Sequence, residues 1–156
     1  MDAALVQLVA LFEEAFERKS WHGTTLKGSL RGLSAPDASR RPGPGRHNIW
    51  EVALHAAYWK YVARRRITGD RRLSFPRTGS NWFVCPPEGI ADDRLWREDI
   101  ALLQEEHRKL RNVLTVPGAR FVETQLRVMR GVIAHDLYHA GQIQLLKRLA
   151  QETEEE

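Results

Sequence analysis

The sequence predicts an all-α protein, a four-helix bundle with long loops, and three observations carry that expectation. Four long segments repeat apolar residues every three or four positions, none alternates as a half-buried strand would, and proline and glycine gather between the segments. A chain of 156 residues, 42% of them hydrophobic, suits a single domain over 1–151, followed by a short acidic tail at 152–156.

The first helix is expected from about Asp2 to Lys19, with Leu5, Leu8, Phe12 and Phe16 on one stripe. After an interruption at Trp21-His22-Gly23, a shorter helix would carry Leu26, Leu30 and Leu33, although Gly28 and Gly32 oppose helix there. From Ser34 to His47 proline and glycine impose a loop with room for one short turn. The second long helix, Asn48 to Thr68, opens on Asn48 and Glu51 at the spacing of a reciprocal capping box and closes on Gly69. Residues 70 to 91 form a long connection, a length that in compact domains often marks a functional site. The third helix would run from about Asp92 to Val116, ended by Pro117-Gly118, and the fourth from about Val122 to Gln151.

Composition narrows the function classes. The lone Cys85 has no partner for an intramolecular disulfide, and Asp2 to Phe16 lacks the basic and continuously apolar regions of an export signal, so a cytoplasmic compartment is expected. No stretch approaches the roughly 20 apolar residues that cross a bilayer, so no membrane partner is expected. The net charge of +4 comes from arginine clusters such as Arg64-Arg65-Arg66. These close a helix, where cations complement the dipole, and no aromatic platform lies beside them, so nucleic acid is not an expected partner.

The chemistry resides in the histidines. His135 and His139 stand four apart, one above the other on a helix, the spacing at which two imidazoles bind one metal. They continue the inward stripe of Val128 and Val132, and His55 lies among Val52, Tyr58, Trp59 and Val62 on its own helix. A buried imidazole needs a partner. Three together point to a divalent metal held by His55, His135 and His139 with an open coordination position. His107 also falls on an apolar stripe, as a further ligand, a base or packing; His22 and His47 flank helix starts as caps or pocket rim. Cys85 has no neighbour that would lower its thiol pKa. Glu51, Gln142 and Asp136 are candidates to orient the ligands, with Asp136 on a face better suited to bonding a neighbouring helix.

Gly131-Val-Ile-Ala-His-Asp-Leu-Tyr-His-Ala-Gly-Gln-Ile143, with Asn48-Ile-Trp-Glu-Val-Ala-Leu-His55, resembles the hallmark segments of the DinB-like superfamily of metal-binding four-helix proteins. Trp21-His22-Gly23 and the loop Arg41 to His47 are similar to one branch of it. The resemblance implies the same three ligands, an up-and-down bundle with an unusual order of connections, and homodimers; Trp82 and Phe83, aromatic residues in a long loop with no evident core role, are a further sign of the last. It also implies activation of a low-molecular-weight thiol by the metal. The acidic residue of the related sulfur-inserting enzymes, two positions after the last histidine, is here Gly141, which argues against that activity.

The expected function is therefore that of a metal-dependent enzyme, a thiol transferase or hydrolase acting on a small molecule, with no residue assigned as its acid or base. Zn²⁺ leads, and Ni²⁺, Mn²⁺ or Fe²⁺ stay open on ligand type alone. The alternative is a noncatalytic, metal-stabilised helical module that binds a partner or serves a stress response. A zincin reading of His135-Asp-Leu-Tyr-His139 would need Asp136 as the base, one methylene short of the usual glutamate.

Overall fold

The structure, a computed structural model, describes residues 3–86 and 90–152. The expected acidic tail lies outside them, apart from the backbone of residue 152, as does Asp2 at the expected start of the first helix. Among the described residues the regular structure is entirely helical: α1 (Ala3–Phe16), α2 (Leu26–Ser29), α3 (Ala35–Ser39), α4 (Ile49–Thr68), α5 (Asp93–Leu114) and α6 (Glu123–Glu152). No described helix is long and apolar enough to cross a membrane.

Local chemistry sets the ends. The Asn48 side chain accepts the Glu51 N–H at 2.9 Å, and Gly69 closes α4 in the left-handed conformation (φ 69°) that glycine adopts without strain. Only half of the expected capping box forms, because the Glu51 carboxylate is taken by Arg41 and His47. The expected loop from Ser34 contains a true helix, α3. Ser34 and Asp37 make the reciprocal capping box there, with Pro36 in the first turn, where its missing N–H costs nothing. The first helix stops at Phe16, short of Lys19.

Two hydrophobic clusters form the core. One gathers α2, α3 and the first half of α4 around Trp50, Leu103 and Ile143; the other joins α1 to the far ends of α4 and α5 through Phe12, Ile67, Leu114 and Met129. Buried charge lies between them. Lys60 of α4 pairs with Asp136 of α6, and Arg64 donates to Glu106 at 2.9 Å instead of serving the helix end as expected.

The partners along α4 advance with those along α5: Trp50 bonds Asp99, Arg64 bonds Glu106, and Ile67 shares a cluster with Leu114. Those two helices therefore run in the same direction. Against α6 the order reverses, His55 facing His135 and Gln125 donating to the Ile67 carbonyl. Strict alternation of direction is not kept between α4 and α5, for a simple physical reason. Parallel neighbours need a connection that returns along the whole helix, about 30 Å for 20 residues. Residues 70–86 run back along α4, from Leu73 beside Tyr61 to Cys85 beside Asn48. They are anchored by the Tyr61 hydroxyl donating to the Leu73 carbonyl at 2.9 Å and by the Arg77–Asp99 ion pair.

Candidate metal centre

On α6, one helical turn sets His135 above His139, and antiparallel packing of α4 brings His55 to both. The Nε2 atom of His135 lies 3.1 Å from that of His55 and 3.0 Å from that of His139. One ligand nitrogen from each of the three lies within 4.8 Å of the others. Nitrogens about 2.0–2.1 Å from a tetrahedral zinc ion would be roughly 3.3 Å apart. The cluster is close to that spacing.

The outer ring atoms fix how these imidazoles present themselves. His55 Nδ1 lies 2.9 Å from the Asn81 carbonyl oxygen, which can only accept, so Nδ1 carries the proton and Nε2 presents a lone pair. His139 Nδ1 is likewise 2.8 Å from Gln142 Oε1, leaving its Nε2 bare. Two lone pairs thus converge on His135. Donation of the second ring N–H to a carbonyl or amide oxygen is the arrangement that orients metal-bound histidines, and three converging nitrogens fit a cation.

Electrostatics keep the rings in the ligand form. Burial drives His135 down to about 3, helped by the neighbouring His139 and His55, and drives His139 to about 4 against the opposing Gln142 hydrogen bond. His55 is also lowered, by burial first. All three are neutral at physiological pH.

The long connection supplies parts that sequence reasoning missed. Asn81 has a positive φ of 64°, a conformation asparagine tolerates better than most residues, and this aims its carbonyl at His55 while its side chain accepts the Trp59 Nε1–H at 2.9 Å. Trp82 lies between the His47 and His55 rings, with centroids 3.6 and 3.9 Å away. Its sequence signal was aromatic residues in a loop without an evident core role. Phe83 has one: it is buried against Tyr58 and Phe75.

The other candidates fall into place. Gln142 fixes the orientation of the His139 ring. Glu51 does not touch the cluster: Arg41 grips its carboxylate and His47 Nδ1–H donates to it at 2.8 Å, and although burial raises Glu51, those bonds hold it below the usual range. Asp136 is fully buried against Lys60, on a different side of α6 from the histidines, so the zincin reading loses its base. His107 is packing: it stacks between Phe12 and Phe16, with Nε2–H on the Glu13 carboxylate at 3.3 Å. His22 is exposed in the turn after α1. Cys85 is buried, takes an Asn48 N–H at 3.0 Å, and its thiol is pushed up by burial, the reverse of activation.

No curated protein and no solved structure matches the chain. A family model described as the DinB superfamily matches residues 20–143. That match runs unbroken from before α2 to just past Gln142, over His55, the Asn81 turn and both histidines of α6, and so the chain belongs to the DinB superfamily.

Proposed function

We propose that His55, His135 and His139 hold a divalent metal ion, Zn²⁺ ahead of Ni²⁺, Mn²⁺ or Fe²⁺, within a four-helix bundle. The proposed activity is that of a thiol transferase or hydrolase in the cytoplasm, acting on a small molecule. One observation carries the reading. Two imidazoles have committed their Nδ1 protons to Asn81 and Gln142, so their Nε2 lone pairs meet at His135, where a cation satisfies all three. Bound there, the ion would supply Lewis acidity, stabilising a thiolate or hydroxide at neutral pH. The chain's own contribution is to present three neutral imidazoles, two of them oriented through Nδ1, and Trp82 shields His55 from solvent on its ring face. We further propose a homodimer, with neither membrane nor nucleic acid as partner.

Metal content after dialysis of tag-free protein tests the centre. Stoichiometric metal is expected in wild type, His22→Ala and His47→Ala, and severe loss in His55→Ala, His135→Ala and His139→Ala. Full metal in His55→Ala would refute the ligand set. Burial lowers all three imidazoles, so protons compete for them only at pH below 6.5, the ordinary histidine value, and metal should persist there and leave on further acidification.

A noncatalytic, metal-stabilised module is the second reading, and it too has an observation behind it. The candidate carboxylates Glu51 and Asp136 are each occupied by a cation, so neither is free to serve the histidines as an acid or base. Incubation of the metal-loaded protein with bacillithiol, mycothiol or glutathione and electrophilic substrates separates the two. Turnover supports the enzyme; its absence with all three thiols, and with ester and amide substrates offered for hydrolysis, supports the module.

A further inference from the structure

The histidine cluster lies at one end of a cleft. From His135, α4 and α6 part around a space of about 540 Å³ walled by Trp59, Val62, Val128 and Val132, within the size range of small-molecule sites. Two exposed arginines, Arg66 of α4 and Arg127 of α6, stand along it. Neither has a carboxylate partner among the described residues, and Arg66 instead lies over the Trp59 ring, 5.9 Å from its centroid. Elsewhere on these helices cations near a carboxylate take it, as Lys60 and Arg64 do. The cleft therefore has apolar walls and free positive charge.

Gly131 is a second, independent observation. Glycine is a poor choice within a helix, yet this one sits well inside α6, and a Cβ built on it would meet no atom within 4 Å. Helix packing does not require it. It lines the cleft one turn from His135, where any larger side chain would project into the space. Arg127 is eight residues from His135, about 12 Å along the helix, so a ligand held by the arginine needs an extended body to reach the histidines.

We propose that this cleft binds the substrate as an amphipathic anion. A carboxylate or phosphate head would be held by Arg66 and Arg127, an apolar body would lie on Trp59, Val62 and Val128, and the reacting end would approach His135. This rests on the reading of the histidine cluster as a reaction centre. Arginine presents a planar fork that matches either oxyanion, while the walls give nothing to a polar chain.

The test is titration of methyl-labelled protein, metal-free and zinc-loaded, with hexanoate, hexyl phosphate, hexan-1-ol and hexylamine, read on the valine and leucine methyls. At least one of the two anions should shift Val62, Val128 and Val132 and bind about tenfold more tightly than the alcohol, a margin typical of a charge-assisted contact; the stronger anion identifies the head group. Arg66→Gln with Arg127→Gln should erase the preference but keep the alcohol's weak binding. Gly131→Leu should abolish binding of all four with the helical content unchanged. Equal affinity for acid, alcohol and amine, shifts at Leu5, Leu8 and Leu126 instead, or cleft shifts that follow protein concentration and so report a second copy would each overturn the proposal. Metal content of the same samples keeps the two readings apart. Anion preference without zinc retention defeats only the metal centre, and zinc retention without anion preference defeats only the cleft.

Discussion

At the scale of single residues, the atoms that hold the histidines are as informative as the histidines themselves. Asn81 reaches His55 through its backbone carbonyl, so for that contact its side chain matters only by tolerating φ at 64°. Asn81→Gly should preserve that conformation and the metal, whereas Asn81→Val, which resists positive φ, should weaken metal affinity by about 10–100-fold, the usual effect of losing an orienting partner. Competition with a chelator of known affinity measures this, and equal affinity in the two variants would refute the role. His107 gives a second prediction, through pH. Burial lowers it to about 2 in the fold, while the unfolded chain takes up its proton near 6.5. Its contribution is thus complete above pH 6.5 and is lost progressively as pH falls below that value, by up to about 1.4 kcal/mol per pH unit. His107→Phe, retaining the stack on Phe12 and Phe16, should show a shallower loss of stability between pH 6.5 and 4 in urea titrations. The meeting of His55, His135 and His139 was legible because apolar neighbours on a helical stripe gave their direction. Asn81 and Trp82 were not, since a loop has no periodicity from which an inward direction can be read.

At the scale of elements, the register of α4 on α6 decides whether the histidines meet, and the buried Lys60–Asp136 pair lies one residue from His135 at that contact. Burial pushes Lys60 down and Asp136 up, each towards neutrality, while their mutual attraction opposes this. Removing one partner strands the other. Lys60→Met should therefore cost about 3–5 kcal/mol, and Lys60→Met with Asp136→Leu should recover most of it, because a buried pair is often no better than apolar packing. Equilibrium unfolding decides; a double variant no more stable than the single one would mean that the pair itself stabilises the fold. The ends of α4, α5 and α6 were readable to within about two residues, since Asn48, Gly69, Asp92 and Pro117 are strong local signals. The α3 signal, Ser34 followed by Asp37, was also present but lay among prolines and glycines that read as loop. The common direction of α4 and α5 had only an indirect sign, the length of their connection, because no local interaction encodes helix direction.

At the scale of the molecule, the proposed homodimer loses one argument and gains another. Trp82 and Phe83, which suggested an interface while they had no evident place, belong to the histidine site and the core. On α6, however, Ala134, Tyr138, Gly141, Leu145 and Leu149 are all exposed and follow one another at steps of three or four. That is an apolar stripe on the face turned from the core, where a solvated helix would carry charge. A two-fold axis across it would pack the stripe against its own copy, with Gly141, where a Cβ would meet no atom of another described element within 4 Å, letting the helices approach closely. Charge at its centre should separate the copies and leave each fold intact, because these side chains have no role in the core. Leu145→Glu with Tyr138→Glu, like charges that face each other across the axis, should therefore sediment at 17.9 kDa where wild type sediments at twice that mass, with unchanged helical content. A wild-type protein that stays at 17.9 kDa at micromolar concentration would remove the homodimer; a dimer that survives both charges would move its interface off this face of α6.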